Sequence, residues 1–283
     1  MRSYKPTDMQ PASILRGVRR GVAHVRWHPL LVALAFALVA LIVLAGCSAP
    51  PSASSTSATS ATVPPSITAE PTVRPPVVYV ALGASDAVGV GADNPLTQGY
   101  VPRIIARLPA HSQALNLGIS GITLHRALTA ELPQVAPEHP TLITVWLAGN
   151  DFRGCAPLPQ YRADLDTLLT TLHTQTSAQV FVANLPDMSE LPSFQHGAPG
   201  AGPCVAGKST AEIRQLVEQW NSEINSVVAQ HGDVLVNLFT SDLLAHPNYI
   251  SQADGFHPSS EGYAKLADLF WTQITAHHAV PNA

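Results

Sequence analysis

Charge is scarce in this sequence: Asp, Glu, Lys and Arg make up 12% of its 283 residues, about half the share of an average globular domain. Basic residues are scarcer still once the N-terminus is set aside. Beyond Gly46, nine Lys and Arg stand against eighteen Asp and Glu, a net charge of −9. No basic cluster is left to neutralise phosphates, which excludes nucleic acid as a partner. Three cysteines are too few for a disulfide scaffold. There is no P-loop, no dinucleotide fingerprint and no internal repeat, so no nucleotide cofactor is expected. The adjacent His277 and His278 lack the ligand spacing of a zinc site, and other histidines such as His125 are scattered, so no metal is expected either. What the sequence has is apolar mass. Hydrophobic residues make up 46%, which supports a packed core and rules out disorder along the whole length.

The N-terminus reads as an address. Arg16, Arg19, Arg20 and Arg26 precede sixteen uncharged apolar residues, Leu30 to Ala45. A helix of that length spans about 24 Å, short of the roughly 30 Å of a bilayer's hydrocarbon core, so a signal sequence fits better than a spanning helix. The run ends in Leu44-Ala45-Gly46-Cys47, which resembles the bacterial lipoprotein cleavage box and makes Cys47 the expected lipidated residue; an uncleaved anchor is the alternative. Either way the arginines stay inside, and the remainder is expected outside the cytoplasm, tethered in the cell envelope. From Cys47 to Pro76 the chain is rich in Ser, Thr, Ala and Pro, with Glu70 and Arg74 its only charges. Such a stretch builds no core and is expected to act as a linker. The organisation expected is therefore a signal segment at 1–46, a linker at 47–76 and one folded domain at 77–283.

That domain alternates two periodicities. Val77 to Leu82 (VVYVAL) is a β-branched apolar run of the kind found in strands buried on both faces. Similar runs occur at 114–118, 142–147, 179–183 and 234–238. Helical patterns lie between and after them, near 100–108, 124–132, 158–173, 210–230 and 260–277. The clearest places Ile213, Leu216, Val217, Trp220, Ile224, Val227 and Val228 on one face. Five strands alternating with helices predict an α/β fold with a parallel sheet covered on both sides.

In such sheets the binding crevice lies beyond the carboxyl ends of the strands, and three strand ends carry chemistry. The first is followed by Gly83-Ala84-Ser85-Asp86-Ala87, a turn that can present a serine hydroxyl; it is not the G-x-S-x-G elbow, since Ala87 stands where the second glycine belongs. The second is followed by Asn116-Leu117-Gly118-Ile119-Ser120-Gly121-Ile122-Thr123, where the Gly121 amide can face the crevice. The third leads to Ala148-Gly149-Asn150-Asp151, an uncharged amide donor or a helix-capping turn. Near the C-terminus, Asp254-Gly255-Phe256-His257-Pro258 places a carboxylate three residues before an imidazole, so that the acid can fix the ring's tautomer and leave its other nitrogen to take a proton.

This set of residues, in this order, resembles the SGNH hydrolases, or GDSL esterases and lipases, over residues 77 to about 278. The resemblance implies a three-layer α/β/α sandwich around a five-stranded parallel sheet, flavodoxin-like in arrangement. It implies Ser85 as nucleophile, His257 and Asp254 as the rest of a triad, and Gly121 and Asn150 joining the Ser85 amide in an oxyanion hole. It implies hydrolysis of carboxylic esters by a monomer without cofactor, on substrates ranging from acylated carbohydrate to lipid. A surface binding module that has kept the fold and lost turnover is the alternative. One departure is visible: the name-giving Gly-Asp-Ser-Leu reads Gly83-Ala84-Ser85-Asp86 here, so the acid follows the serine, either near the site or capping the next helix. Outside the cytoplasm Cys155 and Cys204 can pair, closing a loop of about 50 residues; two separate thiols are the alternative. The segment from Leu185 to Val205 is expected to shape the acyl or alcohol pocket.

Overall fold

The computed structural model describes residues 76–195 and 201–281. The expected signal segment at 1–46, the lipidation site Cys47 and, but for Pro76, the linker at 47–76 lie outside the described residues. In chain order the elements are β1 (Val78–Gly83), α1 (Ser85–Val88), α2 (Pro95–Gln98), α3 (Tyr100–Ile105), β2 (Gln113–Asn116), α4 (Leu124–Ala130), β3 (Leu142–Trp146), α5 (Gly149–Arg153), α6 (Leu158–Gln175), β4 (Gln179–Ala183), α7 (Thr210–His231), β5 (Val234–Val236) and α8 (Ser260–Ala276). The strands form one parallel sheet in the order β2-β1-β3-β4-β5.

Alternation of side chains across each strand builds two cores. Val80, Leu82, Ile143, Val145, Val180 and Val182 face one way and pack under α4, α6 and α7. Tyr79, Ala81, Leu142, Phe181 and Ala183 face the other way and pack under α3 and α8. This is the three-layer sandwich. The runs in β1, β3 and β4 are buried on both faces as their composition demands, whereas β2 is largely exposed, because it is an edge strand. Among the described residues no helix is long and apolar enough to cross a membrane.

Local chemistry sets the helix ends. Ser209 and Glu212 form a reciprocal capping box at the start of α7: the Ser209 hydroxyl accepts from the Glu212 N–H at 3.3 Å and the Glu212 carboxylate from the Ser209 N–H at 2.8 Å. Gly232 closes the same helix in the left-handed conformation, at φ +71°. α4 stops at Ala130, two residues before the expected end, and continues as a 3₁₀ turn over Leu132–Gln134, since Pro133 has no N–H to extend an α-helix. β5 ends at Val236 rather than Leu238, because the Asn184 side-chain oxygen takes the Leu238 N–H at 2.7 Å and draws the chain off the sheet.

Chain order fixes where the crevice opens. From β1 the chain moves outward to β2 and returns across β1 to β3, so the strand order reverses between β1 and β3, the place where open α/β sheets bind ligands. A disulfide joins Cys155, just after α5, to Cys204, with Cα atoms 5.0 Å apart. It ties two loops at this end of the sheet, and a bridge across a segment of that length contributes about 2 to 4 kcal/mol.

Candidate active site

Ser85 is the first residue of α1, directly beyond β1. The turn is tight because Gly83 has no side chain: a Cβ there would lie 2.7 Å from the Ala87 Cβ. Ala87 is itself buried, which explains an alanine where a looser elbow carries glycine. Ser85 is 7% exposed, and its Oγ lies 2.8 Å from the His257 Nε2. The His257 Nδ1 lies 2.5 Å from the Asp254 Oδ2. The second carboxylate oxygen of Asp254 accepts from the backbone N–H groups of Phe256, at 2.9 Å, and His257, at 3.1 Å.

Burial alone would raise the Asp254 carboxyl, but the hydrogen bonds from the His257 ring and the two amides outweigh it and hold it below the usual range. An ionised Asp254 accepts only, so the proton between the pair sits on Nδ1 and leaves Nε2 bare, facing the serine hydroxyl.

The turn bearing His257 is braced from outside itself. Ile250 and Pro258 form an antiparallel bridge, and the Ser251 N–H donates to the His257 carbonyl at 2.8 Å. Gly91 lies against it at φ +98°, a conformation side chains avoid, and a Cβ there would meet the Pro258 oxygen at 2.5 Å and the His257 Cβ at 2.9 Å. Sequence reading missed Gly91, since its partners are more than 150 positions away.

Asn150, second in α5, donates from its side-chain nitrogen to the Ile122 carbonyl at 2.9 Å. This joins the ends of β3 and β2 and leaves the amide's second hydrogen for another acceptor. Gly121 precedes Ile122, exposed and at φ +78°. The neighbouring Asp151 does cap a helix: its carboxylate accepts from the Leu124 N–H at the start of α4, at 2.9 Å, and burial pushes it up to about 6. Asp86 does not. Ala84 occupies the N-cap position of α1 with no side-chain cap bond, and Asp86 lies within the first turn, lining the cleft.

A cleft opens at this end of the sheet. It takes Ala84 and Asp86 from either side of the serine, Phe256 and Pro258 from either side of the histidine, Trp146 and Asn150 from the third strand end, and an apolar wall of Leu185, Pro186, Met188, Leu191, Leu243 and Leu244. The first part of the segment expected to shape a pocket does so, and its backbone is held by a buried Asn221 on α7, which accepts from the Leu185 N–H at 2.9 Å and donates to its carbonyl at 2.8 Å. Leu243 and Leu244 were not legible in the sequence.

An acid also serves the turn before Ser85, from a distance. Glu131, wholly buried after α4, accepts from the Gly83 N–H at 3.1 Å, and its other oxygen finds no partner among the described residues. Burial, partly opposed by the Gly83 hydrogen bond, pushes its carboxyl up to about 8 from an ordinary 4.5. The folded state thus holds a proton that the unfolded chain releases, so stability is full below about 4.5 and is lost as the pH rises toward 8. Glu131→Gln, which cannot ionise, removes that loss: its melting temperature relative to wild type is expected to rise between pH 5 and pH 8.5. Parallel profiles would show that the carboxyl titrates alike in both states.

With this geometry in hand, the chain matches known proteins. Residues 81–265 match the model of the GDSL-like Lipase/Acylhydrolase family. Esterase TesA of Pseudomonas aeruginosa is 27% identical over 198 residues, 68% of this chain and 85% of that protein. Among solved structures, a crystal structure of TesA superposes with a TM-score of 0.54 at 24% identity, covering 70% of this chain and 98% of that one. The psychrotrophic esterase EstA from Pseudoalteromonas sp., inhibited by monoethylphosphonate, gives a TM-score of 0.54 at 19% identity, covering 71% and 97%.

Proposed function

This chain belongs to the GDSL-like lipase/acylhydrolase family, the SGNH hydrolases, and is a carboxylic ester hydrolase; we propose that it works through an acyl-enzyme on Ser85. The observation that carries this is the unbroken relay from Asp254 to His257 to Ser85, with contacts of 2.5 and 2.8 Å. His257 takes the hydroxyl proton through its bare Nε2 as Oγ attacks the ester carbonyl. It then gives that proton to the departing alcohol, and water repeats the cycle on the acyl-enzyme. Asp254 keeps its charge and stabilises the imidazolium formed in each half.

The oxyanion is held by the Ser85 and Gly121 amides and by the free hydrogen of the Asn150 side chain. Asn150 is suited to this because the Ile122 carbonyl fixes its other hydrogen, so no reorientation is needed as charge develops. Asn150→Ala is expected to lower turnover of p-nitrophenyl butyrate by roughly two to three powers of ten with little change in KM, the usual effect of losing one such donor. A variant within tenfold of wild type would remove Asn150 from the site. The experiment that tests the reading as a whole is labelling of the full-length protein by a fluorophosphonate probe, with hydrolysis of p-nitrophenyl esters from acetate to longer chains. A folded protein that neither labels nor cleaves would overturn it.

The apolar wall of the cleft suits the hydrocarbon part of an ester. The site is further proposed to stand outside the cytoplasm, tethered through a lipid on Cys47, a reading that rests on the Leu44-Ala45-Gly46-Cys47 box. Mass spectrometry of the N-terminal peptide from membranes tests it, and an unmodified Cys47 still preceded by residues 1–46 would overturn it.

A further inference from the structure

We infer that Asn116, at the end of β2, is a positioning residue for the reaction: its side chain holds the helix that carries Ser85 in register with the loop that carries Gly121. This rests on the esterase reading and deepens it by naming a residue outside the cleft on which the geometry of the oxyanion hole depends.

The nucleophile helix is too short to hold itself. α1 has four residues and no side-chain cap at its N-terminus, and it stops at Val88, where Gly89 turns into the left-handed conformation. A longer helix would cover the Ala87 carbonyl with an amide from its next turn. Here that turn is missing, and the carbonyl is one of the end groups left without an intrahelical partner. The Asn116 side-chain nitrogen donates to it at 2.6 Å. The oxygen of the same side chain accepts from the Gly118 N–H at 3.0 Å. One planar amide thus bonds at one end to a residue two after the nucleophile and at the other to a residue three before Gly121. The two backbones come close enough for this because Gly118 has no side chain: a Cβ there would lie 2.7 Å from the Ala87 Cβ.

From Gly118 the chain runs into the turn that presents Gly121. The Ile122 N–H donates to the Ile119 carbonyl at 3.1 Å, and Gly121, at φ +78°, takes the third place of the turn, where a positive φ favours glycine. Three bonds pin this segment. Asn116 holds its approach at Gly118, the Gly83 carbonyl accepts from the Ile119 N–H at 3.1 Å, and Asn150 donates to the Ile122 carbonyl at 2.9 Å. The first two reach the serine turn on either side of Ser85, through Ala87 and through Gly83. The tie at Gly83 sets the distance between the two segments, and the tie past the nucleophile sets the angle between them, so the Ser85 and Gly121 amides converge on one point. Asn116 is itself exposed and forms no part of the cleft wall. It therefore acts on the reaction through those two backbones and not by touching the ester.

The test is steady-state kinetics of the full-length protein and of its Asn116→Asp and Asn116→Ala variants on p-nitrophenyl butyrate, with fluorophosphonate labelling and melting temperature measured beside them. Aspartate keeps the shape of asparagine and still accepts from the Gly118 N–H, but an ionised carboxylate cannot donate to the Ala87 carbonyl. Alanine loses both bonds. In both variants kcat is expected to fall by about tenfold to a hundredfold, the cost of misplacing reacting groups by about 1 Å, and labelling to slow in proportion. KM is expected to stay within about twofold, because the walls that bind the ester are untouched. The melting temperature is expected to stay near that of wild type, since Asn116 is exposed on an edge strand. A purely structural residue gives the reverse pattern, a lower melting temperature with kcat retained, and that result would overturn the proposal. So would an Asn116→Asp protein with kcat within about threefold of wild type, or one whose loss lies in KM; because this variant is isosteric, the comparison stands even if Asn116→Ala does not fold. Variants that match a wild type which labels and cleaves would overturn the positioning role and leave the esterase standing. A wild-type protein that neither labels nor cleaves would overturn both readings.

Discussion

Ser85→Ala is expected to abolish fluorophosphonate labelling and to lower ester turnover by roughly four to six powers of ten, the range seen when the nucleophile of a hydrolytic triad is removed. The probe forms its bond to one atom, Oγ, and the variant lacks that atom while keeping the rest of the cleft. The fold should barely register the change. Ser85 is the first residue of a four-residue helix, its Oγ has the His257 ring as its hydrogen-bonding partner, and alanine loses no packing beyond one oxygen. An unchanged melting temperature alongside lost labelling therefore separates chemistry from stability. Activity is not expected to reach the uncatalysed rate, since the oxyanion donors and the apolar cleft still bind and polarise the ester. A Ser85→Ala protein that labels as fast as wild type would mean that another serine carries the chemistry, and mass spectrometry of the adduct would name it.

The parts of this design visible in the sequence are those with a local signature. The β1, β3 and β4 runs are apolar because both faces are covered, and a central strand of a doubly wound sheet has no polar alternation to hide it. The face of α7 announces a helix by its three and four spacing. Asp254 and His257 are three apart, so a single turn suffices to join them. What was not visible depends on strand order. β2 reads like the other runs, yet lies at the edge, and no local pattern tells an edge from a centre. Glu131 carries no local signal, and is the wholly buried partner of Gly83 because α4 ends against β1. Asp86 reads either as a residue near the site or as a helix cap, and it lines the cleft, because α1 is so short that its first turn is already the wall of the site. Leu243 and Leu244 fall between elements, with no periodicity to mark them.

His257→Ala and Asp254→Asn are expected to differ from each other, and the difference tests how the triad divides its work. Removing His257 removes the only group among the described residues in hydrogen-bonding contact with the Ser85 hydroxyl, and the loss should match that of Ser85→Ala. Replacing Asp254 by Asn keeps the shape of the turn, since the remaining oxygen can still accept from the amides of Phe256 and His257. The new NH₂, however, donates toward Nδ1 and favours the opposite tautomer, with the proton on Nε2 where the serine needs a base. Activity should fall by about four powers of ten yet stay measurable, roughly a hundredfold above His257→Ala, because the correct tautomer is disfavoured rather than abolished. On the proposed mechanism serine and histidine act as a unit, so the double variant Ser85→Ala with His257→Ala should be no slower than either single one. Steady-state rates on p-nitrophenyl butyrate measure all four proteins. If the two single losses multiply in the double variant, the residues act separately and the relay is not the catalytic device.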